Sequence, residues 1–323
     1  MPHVTPDLEE RFLQPAGWVW GNFTREGREI RFGSIYPQDC KPTATIVCFP
    51  GLSEFAEKYF ETARWALERG YGFAVIDWFG QGLSDRYLDN PHKRHSTGFQ
   101  KDIDDAHHFI TNYVSKDAPL VLLAHSMGGH LGFHYLHQHP EIFSCAGFTA
   151  PMINIKAFKA FPFSSHLLIT GNMPQESYVW GGHDWREDMR PAADKSRLSK
   201  DPARNAIHNI WCQANPALQN GSVTWGWLNQ AALSCQKLQK DETLNSIHTH
   251  FIATAAGDDD LVDNAAIKKM SRHKYCTYFR EYTQSGHEIL MERDEIRGDF
   301  LGHFDTLIKE TAVHSPQSLK PIV

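Results

Sequence analysis

The stretch "PLVLLAHSMGGHLGFHYLH", Pro119–His137, decides how this chain is read. An apolar run ends at His125 and Ser126, two glycines follow at once, and the next residues repeat their apolar members at helical spacing. A strand that turns sharply into a helix at a serine presents the hydroxyl at the tip of the turn, and small neighbours let strand and helix approach each other. Gly128 and Gly129 meet that need. Ala124 stands where the familiar G-x-S-x-G pattern has its first glycine, and one added methyl leaves the turn feasible. The competing reading makes Ser126 an ordinary helix N-cap, a position that serine favours.

The two readings differ in what the rest of the chain must supply. A nucleophilic serine needs a base, an acid to orient the base, and donors for a developing oxyanion. On a strand–turn–helix scaffold the partners follow at later strand ends in the order Ser, Asp, His. "AAGDDDLVDN" begins where the apolar strand Thr249–Gly257 ends and supplies Asp258, Asp259, Asp260 and Asp263. "QSGHEI" comes just after a second strand, Cys276–Tyr282, and supplies His287 in a glycine-containing turn. Taken singly, these are a solvated acidic loop and a surface histidine; their joint placement, in order and at strand ends, favours a triad. "CFPGLSEF" follows an earlier strand, so the backbone N–H groups of Leu52 and Met127 can face one crevice, with Gly51 permitting close approach.

Outward from this centre, short apolar runs alternate with helical patterns. "GWVWGNF" and "REIRFGSIY" flank "TREG" as an antiparallel hairpin. "ATIVCFPG", "GFAVIDW", "PLVLLAHS" and "CAGFTAP" follow as strands, and "EFAEKYFETARWALERG" puts Phe55, Tyr59, Phe60, Ala63, Ala66 and Leu67 on one helix side before Gly70. Strands alternating with helices imply an α/β fold with a mostly parallel central sheet flanked by helices. The rhythm breaks after Pro151. Residues 152–221 fit neither period for long, which marks an inserted subdomain between core segments 1–151 and 222–323. Beyond it a helix is expected around Thr224–Leu238, another from Asn264, and a last one over Asp294–Thr311.

Composition narrows the function classes. At 323 residues, 41% hydrophobic, the chain can bury a large core, and a net charge of -6 without a basic stripe argues against nucleic acid as a partner. No window approaches the roughly 20 apolar residues that span a bilayer, and the first residues lack a basic, apolar leader, so a cytoplasmic location is expected. Six cysteines without a C-x-x-C pair are expected to be buried free thiols. His130, His134 and His137, with His139 beyond, recur on one helix face, but no carboxylate accompanies them, so hydrogen-bonded packing is favoured over a metal site. No cofactor is implied.

"FPGLSEFAEKY", "DWFGQGLSD", "LLAHSMGG", "GDDDLVDN" and "SGHEIL" together resemble the serine α/β-hydrolases of the lysophospholipase and monoacylglycerol lipase group, over about Trp18–Ile308. The resemblance implies an α/β-hydrolase fold in which the insertion is a lid, and a carboxylic-ester hydrolase working through an acyl-enzyme. It makes Ser126 the nucleophile, His287 the base and Asp259 the orienting acid, with Asp258 and Asp260 as alternatives, and Leu52 and Met127 the oxyanion donors. The implied substrate is a monoacyl lipid, lysophospholipid or monoacylglycerol. The lid aromatics Phe158, Phe161, Phe163, Tyr178, Trp180 and Trp185 suit an acyl-chain pocket, and "KAFKAFPF" allows peripheral membrane contact. Three departures stand out: Pro50 replaces a histidine of many relatives, Phe79 replaces an arginine and so removes a polar anchor of its loop, and Ala124 replaces glycine. A thioesterase or an esterase for small metabolites would use the same triad, and a silent binding protein could keep the scaffold. Dehalogenases and epoxide hydrolases would carry aspartate at position 126.

Overall fold

Parallel strands bring their carboxyl ends to one edge of a sheet, and in this chain that edge carries the site. The computed structural model describes residues 6–160 and 170–313. Its eight strands are β1 (Val19–Arg25), β2 (Arg28–Ile35), β3 (Thr45–Phe49), β4 (Gly72–Ile76), β5 (Leu120–His125), β6 (Phe143–Thr149), β7 (His250–Ala256) and β8 (Cys276–Tyr282), in spatial order β1-β2-β4-β3-β5-β6-β7-β8. The hairpin β1–β2 is antiparallel, with β2 also antiparallel to β4, and every pairing from β4 to β8 is parallel. The expected strands are all present, displaced by a residue or two at their ends.

β3, β4 and β5 are buried at every position, which is why they read as continuous apolar runs rather than alternating ones. Fully burying one such Val, Ile or Leu side chain stabilises the fold by about 2 kcal/mol. The flanking helices are α1 (Phe60–Leu67), α2 (Gln100–Tyr113), α3 (Met127–Gln138), α4 (Pro202–Ala214), α5 (Trp225–Leu238), α6 (Asp241–Asn245), α7 (Asn264–Met270) and α8 (Asp294–Ile308). α1 follows a short 3-10 turn at Ala56–Tyr59 and ends where Gly70 takes φ +74°.

α4 corrects the reading of 152–221 as a stretch without sustained periodicity. Asp201 caps it through the Arg204 N–H, and Pro202 opens its first turn. Its buried residues are Arg204, Asn205, Ile207, His208, Trp211 and Cys212, a 3.6-residue period carried in half by polar side chains. A hydrophobic pattern search passes over such a face. The cysteines also need correction: all six are free and four are buried, but Cys40 is exposed in the β2–β3 loop and Cys276 half-buried on the edge strand β8.

No helix among the described residues is long and apolar enough to cross a membrane. Of the two lysines in "KAFKAFPF", Lys156 is tied to Asp260 and to the Asp259 carbonyl; the end of the segment lies outside the described residues.

Candidate active site

The turn after β5 holds Ser126 at φ +51°, ψ -116°, a conformation that L-residues rarely adopt. Packing enforces it. A Cβ on Gly128 would lie 2.0 Å from the Phe49 carbonyl oxygen, and one on Gly129 would lie 2.7 Å from Pro151 Cβ. Ala124 is fully buried, and its methyl faces Gly132 one turn along α3, where a Cβ would sit 3.5 Å away. That separation is ordinary van der Waals contact, so the methyl at 124 fits against α3 without strain; the close approaches of a Cβ at Gly132 are to Phe148 and Leu122, at 2.9 and 3.0 Å. Ser126 does occupy the N-cap position of α3, yet its hydroxyl caps no backbone group.

The hydroxyl points instead to His287, whose Nε2 lies 2.7 Å from Ser126 Oγ. His287 Nδ1 is 2.6 Å from Asp259 Oδ2, and Asp259 Oδ1 accepts from the N–H groups of Leu261 and Val262. All three side chains are buried. Asp258 faces Arg197 and Lys200, and Asp260 faces Lys156 and Arg197, so neither alternative aspartate reaches the histidine. Burial opposes protonation of His287, but the charge and hydrogen bond of Asp259, with Glu288 and Glu54 adding, raise its pKa above the ordinary histidine value. For Asp259, burial acts upward, and the histidine and the two backbone donors outweigh it, so its pKa is lowered.

Leu52 lies on the turn after β3. Gly51 N–H donates to Glu54 Oε2 at 2.6 Å, Trp78 Nε1 to the Pro50 carbonyl, and Gln81 Nε2 to the Gly51 and Glu54 carbonyls, while Ser53 N–H donates to Gln81 Oε1. A Cβ on Gly51 would meet His125 at 2.9 Å and Ser126 Cβ at 3.3 Å, so glycine brings this turn against the serine. The N–H groups of Leu52 and Met127 have no acceptor among the described residues. The brace that Pro50 cannot supply by side chain comes from Trp78, Gln81 and Glu54.

The loop after β4 corrects the expected loss of a polar anchor at Phe79. Arg94 donates to the Phe79 and His95 carbonyls and to Gln81 Oε1, and Asp77 accepts from Arg31, Ala56 N–H and Leu83 N–H. Phe79 itself packs on Tyr87 with Arg28 over its ring. The guanidinium that steadies this loop is fifteen residues further along.

Ser126, His287, Gly51 and Leu52 line one end of a cavity of about 670 Å³. Met152, Ile155, Leu198, Val223, Leu228 and Val262 make its apolar walls, with Trp185, Met189, Trp227 and Leu261 also contributing. The aromatic set expected from the insertion is largely displaced. Trp185 lines the cavity, but Phe158 is buried elsewhere, Trp180 is 76% exposed and packs edge-on against Trp225, and Tyr178 bonds Asp184. Phe161 and Phe163 lie outside the described residues. Trp227 was hidden from sequence reasoning because α5 reads as an ordinary core helix.

On α3, His130 bonds the Met152 carbonyl and Ser234, His134 bonds Ser234, and His137 bonds Ser246. No group of three or more His, Cys, Asp or Glu among the described residues is placed to hold a metal ion.

A mostly parallel sheet presenting a strained serine, an aspartate and a histidine at the ends of β5, β7 and β8 defines an α/β-hydrolase. Residues 40–294 match the family described as serine aminopeptidase, S33, and the chain belongs to that family. It is 25% identical over 264 residues to lysophospholipase L2 of Escherichia coli strain K12, covering 78% of this chain and 76% of that protein. It is 26% identical over 265 residues to phospholipase YtpA of Bacillus subtilis strain 168, covering 78% and 90%. A soluble variant of monoglyceride lipase from Saccharomyces cerevisiae, solved with a substrate analogue, superposes with a TM-score of 0.71 at 15% identity, covering 95% of this chain and all of that one; at this identity the likeness is one of fold.

Proposed function

We propose that the protein is a serine carboxylic-ester hydrolase acting on monoacyl lipids, with Ser126 as nucleophile, His287 as base and Asp259 as the acid that orients it. The observation that carries the reading is the hydrogen-bonded chain Asp259–His287–Ser126 opening into a mainly apolar cavity beside two unengaged backbone N–H groups. His287 takes the Ser126 proton as Oγ attacks the ester carbonyl, and the Leu52 and Met127 N–H groups receive the oxyanion. The tetrahedral adduct collapses as His287 protonates the departing alcohol; water, deprotonated by the same imidazole, then releases the fatty acid and restores Ser126. One such oxyanion donor lowers the barrier by about 3 kcal/mol.

Segment 152–221 is the lid in this reading, since it supplies Trp185, Met189 and Leu198 to the cavity wall. A monoacyl chain suits a cavity of this size and lining, and the lipid-acting relatives support that class. Aminopeptidase chemistry, the family's description, is less well served. A free α-amine calls for an available carboxylate, and those at the cavity, Glu54, Glu288 and Asp260, already hold Lys58, Arg190, Lys156 or Arg197.

The test is a panel of lysophosphatidylcholine, lysophosphatidylethanolamine, monoacylglycerol, acyl-CoA and short p-nitrophenyl esters, run with wild type and Ser126→Ala. Wild type is expected to prefer a long-chain monoacyl ester and to react with a fluorophosphonate probe. Ser126→Ala is expected to lose labelling and at least about 10⁴-fold in kcat. Labelling that survives the substitution removes Ser126 from its role, and turnover of short soluble esters far above that of lysolipids overturns the lipid assignment.

A further inference from the structure

Along the cavity wall, at Glu54, Glu288 and Arg190 with Lys58 behind them, runs a chain of charged side chains for which the triad has no use. Glu54 accepts Gly51 N–H and Tyr59 Oη through Oε2, at 2.6 and 2.5 Å, and Lys58 Nζ through Oε1 at 2.6 Å. Lys58, whose side chain is 0% exposed, also donates to Glu288 Oε1 at 2.9 Å. Glu288 in turn accepts both ends of the Arg190 guanidinium, at 2.9 and 2.6 Å. Two carboxylates and two cations alternate along this path, so its charges cancel. It starts at the backbone of the oxyanion turn, passes the residue next to His287, and ends in the insertion.

Four ionised groups are costly to bury, and apolar side chains of similar volume would serve stability as well or better. Their placement gives another reason. Glu54 fixes the Pro50–Gly51 peptide, next to the one that carries the Leu52 N–H, and Glu288 belongs to the loop that carries His287. The same stretch of the insertion meets that loop by backbone, with His287 N–H donating to the Arg197 carbonyl at 2.8 Å and Glu288 N–H to the Leu198 carbonyl at 2.7 Å. A Cβ on Gly286 would come within 2.7 Å of Leu198 backbone atoms, so the contact is close along its length.

We infer that Arg190 is a positioning residue for ester hydrolysis: through Glu288, Lys58 and Glu54 it holds the base and the oxyanion turn in register with the insertion and balances the charge around His287. The inference rests on the triad reading above. The charged groups acting on His287 are the carboxylates of Asp259, Glu288 and Glu54; Lys58 and Arg190 bear on it through the two glutamates that they hold. Its imidazole neighbour His125, with ring centroids 4.8 Å apart, is pushed down to about 4 by burial and is neutral in the working range. His208, packed on Phe55, is driven well below the ordinary histidine value by burial and by Arg190 and Lys58. At the rim, Asp258 and Asp260 are engaged with Arg197.

Arg190→Met leaves Glu288 with one cation instead of two. The uncompensated carboxylate favours imidazolium, so the acidic limb of kcat/KM, where His287 must lose its proton, moves to higher pH. On a short soluble p-nitrophenyl ester, the expected result is a kcat at least about tenfold lower, KM within about threefold of wild type, and a limb displaced upward by about half a pH unit. Arg190→Lys restores the position of the limb through its charge but recovers kcat only in part, because the two-pronged contact is lost. Glu54→Gln, at the other end, is expected to lower kcat while moving the limb down, since it removes an anion. Each variant is checked for folding by its melting transition and for an accessible nucleophile by fluorophosphonate labelling. A folded, labelled Arg190→Met enzyme with an unmoved limb overturns the inference, whether its kcat is intact or reduced. Failure of wild type itself to label or hydrolyse esters overturns the triad reading instead.

Discussion

Around Ser126 the chain is held by apolar strands and by glycines that admit backbone atoms to contact, whereas residues 187–224 are held by buried polar side chains. Arg204, 2% exposed, reaches Glu61, Asp294, Asp201 and the Glu292 carbonyl. Ser199 Oγ donates to the Met291 carbonyl, Asn205 to the Pro191 carbonyl, and the Arg94 backbone donates to the Ser222 carbonyl while accepting from Thr224 N–H. Shape complementarity fixes the Ser126 turn from both sides and tolerates almost no added volume. Directional bonds fix residues 187–224, and each can be lost singly. The serine's strained backbone therefore depends on the first kind of support, and the histidine's loop on the second.

The sharpest way to break this contrast is Gly128→Ala. With a methyl forced to 2.0 Å from the Phe49 carbonyl, β3 and α3 must part, and stability is expected to fall by more than about 4 kcal/mol, read as a loss of soluble protein or of the cooperative urea transition. A stable, active Gly128→Ala would show that the elbow has slack that its packing denies. Arg204→Met comes next. It leaves Glu61 short of its main partner and is expected to lower stability by about 3 kcal/mol in urea unfolding. Ser126 should still label with fluorophosphonate there; if labelling is lost, the two regions are one cooperative support rather than two.

The smallest effect distinguishes them by pH. His125 and His134 are held neutral, each pushed down to about 4 chiefly by burial, whereas in the unfolded chain they titrate near 6.5. A depressed folded pKa contributes stability that is complete above 6.5 and is lost as pH falls toward 4. Each group is expected to remove about 1 kcal/mol by pH 5.5. Glu61 and Glu288 have lowered pKa values; burial works against this, but Arg204 with Arg297, and Arg190 with Lys58, prevail. These anchors therefore keep their charge through that window. Wild type and Arg204→Met should lose stability in parallel between pH 6.5 and 5.5, as followed by thermal melts. A flatter slope in the variant would place the acid sensitivity in the carboxylate anchors instead.

Much of this was legible in residue order. The strands β3, β5, β7 and β8 follow from apolar runs that stop at turn residues, and Ser126, Asp259 and His287 from chemistry stationed just past those stops. The aspartate needed more than local pattern, because Asp258, Asp259 and Asp260 are equivalent in sequence and differ only in which way each faces: two toward Arg197, one toward His287. Periodicity also failed at α4, whose buried stripe includes Arg204, Asn205 and His208. Phe79 misled for a related reason, since the guanidinium of Arg94 arrives from a different part of the loop.

By itself the sequence determined the α/β architecture, the order of the proposed triad residues and the glycines that permit the serine turn. These depend on spacings of two, three or four residues, which local backbone geometry turns into faces and turns. Only the tertiary structure decided which aspartate meets the histidine, which side chains wall the cavity, and that Arg190, Glu288, Lys58 and Glu54 form one path. Lys58 and Glu288 are 230 residues apart, and Arg190 and Glu288 are 98 apart. A charge can be buried only beside a partner, and at such separations the folded backbone selects the partner.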